Sequence, residues 1–144
     1  MLERYKSIVQ QIKKLNDVLL LAIRLILAYG FYNPAITKWQ NINSVAEWFG
    51  SMGIPMPLLN AYMAASTELA GVILLTLGLG SRFISVPLIV VMIVAITTVH
   101  LVNGYEAGNN GFEIPLYYIL FLFTILINGA GKLSLDFILV KKIK

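Results

Sequence analysis

The sequence predicts an all-α membrane protein: a bundle of four transmembrane helices, with a short interfacial helix in the first outer loop and amphipathic terminal segments. Three observations predict it. Of 144 residues, 58% are hydrophobic and only 12% are charged, about half the charge of an average soluble domain. Four apolar runs, about 18–36, 60–79, 83–102 and 115–129, suit helices crossing a hydrocarbon layer of roughly 30 Å. Lys and Arg gather at the two termini and at Arg82, while the outer loops hold Lys38 alone. The positive-inside rule then places both termini in the cytoplasm of a bacterial or archaeal cell, with the chain in its cytoplasmic (inner) membrane. One domain is expected over residues 1–144, and no cleavable leader, because a long basic segment precedes the first apolar run.

Residues 1–17 place Leu2, Tyr5, Ile8, Val9, Ile12 and Leu15 on one helical face, with Arg4, Lys6, Lys13 and Lys14 elsewhere. This suits either an interfacial helix on an anionic leaflet or a solvated basic tail. The first span carries Arg24 about two turns deep and Pro34 near its far end, where a kink or early termination is expected. Phe31 and Lys38 continue the Arg24 face. In the first outer loop, Ser44 and Glu47 form a Ser-x-x-Glu capping box opening a short helix through Trp48 and Phe49. Gly50 and Gly53 can end that helix, and Trp39 and Trp48 suit headgroup level.

The second span carries Glu68 near its middle, on a face shared with Ala61, Ala64, Ala65, Gly71 and Val72. A carboxylate at that depth normally faces a bundle interior or a water-filled cavity, and small residues let other helices approach closely. The span ends at Gly78-Leu79-Gly80, and Ser81-Arg82 turns into the third span, whose outer end carries Thr97, Thr98 and His100. An Asn109-Asn110-Gly111 turn follows. In the fourth span Glu113, Tyr117, Thr124 and Asn128 recur at helical spacing, a polar stripe that suits an inward face or simple interhelical hydrogen bonding. Ser134 is placed to cap a short amphipathic helix ending in Lys141, Lys142 and Lys144.

The chain has no cysteine and one histidine. Thiolate chemistry, iron–sulfur ligation and a bis-histidine haem within one chain are therefore excluded. The net charge of +4 lies beside the apolar runs and reads as membrane topology, with no nucleic-acid partner. The candidates for ligand binding or proton exchange are Arg24, Glu68, His100, Glu113 and Tyr117. Asn33, Lys38, Trp39, Trp48 and Glu106 are candidates for an outer mouth. Arg24 either snorkels to the surface or pairs with Glu68. His100 and Glu113 are expected one layer outward of Glu68, forming a line of titratable groups. Apolar walls, aromatic edges and proton donors are what a quinone head group needs. No metal-ligand spacing is present. Catalytic residues are not legible, and no resident cofactor is evident.

The order and spacing of Arg24, Gly30-Phe31, Lys38, Glu68 in AASTELAGVILLTLGLGSR, His100, Asn103-Gly104-Tyr105, Asn110 to Leu116 and Gly129 to Asp136 resemble the DoxX family. The stretch GFYNPAITKWQNINSVAEWFGSMGIP is also similar to a DoxX-type branch encoded beside modified copper-binding peptides. The family resemblance implies a four-helix membrane subunit of a redox-linked complex that handles quinone. Its partners would be the lipid bilayer and membrane or redox subunits, with a homo-oligomer as one form. Two other readings stand beside it: a non-enzymatic scaffold, and an oligomeric transporter of a small metabolite, metal or peptide.

Overall fold

A computed structural model describes residues 2–143, without the side chains of residues 2, 3, 6–9 and 143. Of the predicted terminal faces, Leu2, Lys6, Ile8, Val9 and Lys144 therefore lie outside the described side chains. Among the described residues every regular element is helical: α1 (Leu2–Lys14), α2 (Asn16–Gln40), α3 (Ile42–Ser51), α4 (Pro57–Leu77), α5 (Ser81–Ala95), α6 (Glu113–Asn128) and α7 (Leu135–Ile143). Alpha geometry in α5 gives way to a π-helical turn, Ile96–His100, and a 3-10 turn, Leu101–Asn103.

Among the described residues, three helical stretches are long and apolar enough to cross a membrane, namely Asn16–Gln40, Pro57–Leu77 and Ser81–Asn103, and α6 is a shorter apolar helix. The chain is a membrane protein whose outer faces suit lipid. Leu25, Ile26, Met63, Ile73, Val90 and Phe123 all stand exposed on these helices. Inward faces follow the helical period: Leu20, Ile23, Leu27, Phe31 and Ala35 on α2, and Ala61, Ala65, Glu68, Gly71 and Leu75 on α4. The small residues expected around Glu68 bring α4 close to its neighbours. At Gly71 a Cβ would lie 2.8 Å from Leu88 Cδ1 on α5.

Two expected details change. Pro34 does not terminate the first span, because α2 runs on to Gln40. Proline removes one hydrogen bond, whereas ending the helix there would strand more backbone groups where no water satisfies them. The Ser-x-x-Glu box is also unused. Helix α3 starts at Ile42 behind Asn41, so Ser44 already lies inside it. Gly53 does follow its end in a left-handed conformation.

The turn from α4 to α5 is built as expected on Gly78 and Gly80, both left-handed at φ +67° and +57°. Ser134 caps α7, accepting from the Phe137 amide at 3.3 Å. The segment 130–136 folds back onto that turn. Asp136 accepts from the Gly80 amide at 2.8 Å and the Ser81 amide at 3.4 Å, while its own amide donates to Gly78 O at 3.0 Å. A carboxylate there caps the amino end of α5 and opposes its dipole. Gly78 has no room for a side chain, since a Cβ would fall on Arg24 Nη1 and 2.6 Å from Ser134 Cβ. Gly78→Ala is expected to cost about 1–3 kcal/mol, from the left-handed backbone alone. A lowered thermal midpoint in detergent is the measurement.

The half of the bundle nearest this turn is solid. Ile23, Leu27, Leu75, Ile84, Leu88, Leu122 and Ile125 form one continuous buried cluster there. The other half is hollow.

Candidate functional site

Glu68 is 2% exposed and sits where α4 passes the far half of α2. Its partner is Lys38, fourteen residues beyond Arg24 on α2 and drawn back along the helix. Lys38 Nζ donates to Glu68 Oε1 at 3.0 Å and to Oε2 at 2.8 Å. The lysine keeps a fifth of its side chain exposed while the carboxylate is almost completely enclosed.

This pair forms one side of a cavity of about 620 Å³. Below it, α4 and α5 touch at Gly71 and Leu88; above, Ala64 and Thr67 face Val91 and Ala95 across open space. Phe31 and Pro34 of α2 form the back, Trp48 and Phe49 of α3 the roof, and Tyr118 is the α6 contribution. Tyr118 packs edge-on against Phe31, ring centroids 5.3 Å apart, and its hydroxyl lies where a Cβ on Gly30 would be. That contact needs a glycine at position 30. Met63, Val90 and Val94 are both exposed and cavity-lining, so the cavity opens sideways onto the lipid-facing surface.

The π turn supplies the last wall. The Leu101 amide reaches Ile96 O, a five-residue step, and the wider turn lets Thr98, Val99 and His100 all line the cavity. Threonine hydroxyls bond carbonyls of the preceding turn: Thr97 donates to Ile93 O at 3.0 Å and Thr98 to Val94 O at 2.7 Å. Such turns recur at functional sites. His100 Nδ1 lies 2.8 Å from Asn110 O, tying the connecting loop to the end of α5.

Of the sequence candidates, then, Glu68, Lys38, His100 and Trp48 meet around one cavity. Arg24 does not join them. It is 0% exposed, yet it points to the turn half, donating to Leu75 O at 3.0 Å and to Leu133 O at 2.5 Å. Neither snorkelling nor a Glu68 pair describes it. It sits against the last carbonyls of α4, at the negative end of that helix dipole, where a cation is favoured.

Glu113 and Tyr117 are elsewhere too. Glu113 accepts from the Ala107 amide at 3.0 Å and the Tyr117 hydroxyl at 2.9 Å, and Tyr105 and Tyr117 hydroxyls lie 2.9 Å apart. With Glu106 held by Asn109 at 3.4 Å, these groups brace the 104–113 loop and form no line with Glu68. The inward polar stripe is corrected with them. Thr124 donates to Leu120 O and Asn128 to Thr124 O within their own helix, while Leu122 and Ile125 take the buried face. Backbone acceptors one turn away satisfy these short side chains, so the apolar ridge turns inward. Asn33 is exposed, and Trp39 packs on Tyr62 at 5.7 Å outside the cavity. Among the described residues, no three His, Asp or Glu side chains converge.

The sequence reading missed Tyr118, Thr67, Asn60 and Asn110 as lining groups. Tyr118 had a signal, because it falls one residue off the polar stripe and faces the glycine of Gly30-Phe31.

The DoxX family model matches residues 19–101, more than half of the chain and the whole stretch from Arg24 to His100. The chain belongs to the DoxX family. Two relatives resemble it along most of their length. A Haemophilus influenzae protein named "Uncharacterized protein" is 35% identical over 132 residues, covering 89% of this chain and 87% of the relative. A Bacillus subtilis protein named "Putative oxidoreductase CatD" is 33% identical over 118 residues, covering 81% of this chain and 83% of its own. No solved structure matches. Lys38, Glu68 and His100 of this DoxX chain all fall within the matched region, and Tyr118 lies beyond it.

Proposed function

We propose that this DoxX protein is a redox-linked membrane subunit that takes a quinone-class ligand from the bilayer into the cavity beside Glu68. One observation carries the reading: a buried ion pair, Lys38–Glu68, faces about 620 Å³ of otherwise mostly apolar space that opens toward lipid. Ligand pockets of this size are typically apolar with a few placed polar groups, and a paired charge in a membrane interior is a functional feature by default. An isoprenoid-tailed ring enters sideways, its tail staying among Met63, Val90 and Val94. Lys38 donates to a ring oxygen, and Glu68 and His100 exchange protons with it. Interconversion of quinone and quinol moves two electrons with two protons. With no cysteine and one histidine in the sequence, the electrons pass to or from a partner redox protein. The name of the Bacillus subtilis relative supports an oxidoreductase setting.

In this reading α6 is the fourth span. The chain lies in the cytoplasmic membrane with the Gly78–Gly80 turn inward, since Arg24, Arg82 and Lys132 cluster about that end through their contacts with Leu133, Ile127 and Asp17.

The test is extraction of the protein with its own lipids into polymer-bounded nanodiscs, followed by mass spectrometry of the bound lipophiles. A quinone enriched over the surrounding membrane, and lost in the Lys38→Met/Glu68→Leu double variant, is the expected result. A quinone content equal to that of nanodiscs lacking the protein would sink the proposal.

A further inference from the structure

His100 lines the cavity, and in its neutral form the nitrogen it leaves free is a hydrogen-bond acceptor, which follows from what its other nitrogen touches. Nδ1 lies 2.8 Å from the backbone oxygen of Asn110, which has no hydrogen to give. The Asn103 side-chain amide donates to that same oxygen at 3.2 Å, so it acts as an acceptor twice over. Nδ1 must then carry the imidazole hydrogen. In the neutral ring this leaves Nε2 with a lone pair only, and Nε2 has no partner among the described residues.

Across the cavity the situation is reversed. Lys38 is a donor and nothing else. Two of its directions go to the Glu68 oxygens at 3.0 and 2.8 Å, leaving a third N–H beside open space. One wall offers a hydrogen and the other asks for one.

Resting on the quinone-class reading above, we infer that the cavity selects the reduced, dihydroxy form of the ligand over the oxidised dione. A quinol hydroxyl can donate to His100 Nε2, while its second hydroxyl oxygen accepts from Lys38. A quinone carries acceptors at both positions, so one carbonyl would face the imidazole lone pair. An acceptor that the bound ring covers and leaves unpaired discriminates strongly between otherwise similar ligands.

The experiment uses the protein in nanodiscs under anaerobic conditions. Decylubiquinol, decylubiquinone and the dimethyl ether of the quinol compete pairwise, and the bound species are quantified after extraction. The ether keeps the ring and tail but has no hydroxyl hydrogen. Wild-type protein is expected to favour the quinol by about tenfold over each competitor, and His100→Leu should bring the ratios near one. Equal binding of quinol and quinone by the wild type, or a preference for the quinone, overturns this inference and leaves the quinone-class reading intact. So does an unchanged preference in a folded His100→Leu protein. Binding of none of the three overturns both. The wild-type comparison needs no variant, so a His100→Leu chain that fails to fold does not remove the test.

Discussion

Lys38→Met is expected to lower stability by about 3 kcal/mol or more, and by more than Glu68→Leu does. The two halves of the pair are not equivalent. Glu68 is enclosed and has nowhere else to place its charge, whereas Lys38 is a fifth exposed to the cavity and can turn into it. Removing one partner of a buried pair typically costs about 3–5 kcal/mol, because the other charge is left uncompensated. Removing both and filling the space with apolar groups is often neutral or stabilising. The double variant Lys38→Met/Glu68→Leu should therefore recover most of the loss. Thermal denaturation of the four proteins in one detergent checks this. If Lys38→Met unfolds no earlier than wild type, the pair carries no such asymmetry. The same double variant separates the functional readings. A scaffold would lose nothing once its stability returned, while a quinone-binding subunit would be stable and empty.

Arg24→Met is expected to loosen the opposite end without touching the cavity. The substitution leaves Leu75 O and Leu133 O without the guanidinium that bonds them, at about 1–3 kcal/mol for the buried Leu75 acceptor and less for Leu133, which is half exposed. Part of this is offset by removing a desolvated cation, so a net loss of about 1–3 kcal/mol is expected. The effect should be local first. Leu133 lies three residues before Asp136, whose carboxylate holds the Gly80 and Ser81 amides. Hydrogen exchange at Gly80, Ser81 and Asp136 should rise together, with little change at Thr98 to His100. Unchanged exchange at those three amides would mean that the segment 130–136 stays docked without Arg24. Quinone-class binding should survive in Arg24→Met.

The two variants divide the molecule into a solid end, held by a buried cation and a returning chain segment, and a hollow end, polarised by a buried pair. Residues of both ends alternate along α2: Arg24 serves one and Lys38 the other. A long flexible cation can reach back a turn or more along its helix, so depth read from sequence position misplaces its charge.

The sequence by itself determined the helices, the membrane class and the inward face of α4. Hydrophobic period and small residues act locally, and in lipid a backbone has few alternatives to a helix. It also marked Glu68 as the costly residue around which the chain must be arranged, and it gathered Lys38, His100 and Trp48 among the candidates. Only the tertiary structure decided which cation meets Glu68. Arg24 and Lys38 lie on one face of one helix, and the choice depended on the carbonyls of Leu75 and Leu133, the second contributed from 109 residues away. Tertiary packing likewise turned the Thr124 and Asn128 stripe outward, since hydrogen bonds within α6 satisfied it. It also let α4 and α5 part beyond Gly71 and Leu88, because the space between helices depends on both faces at once.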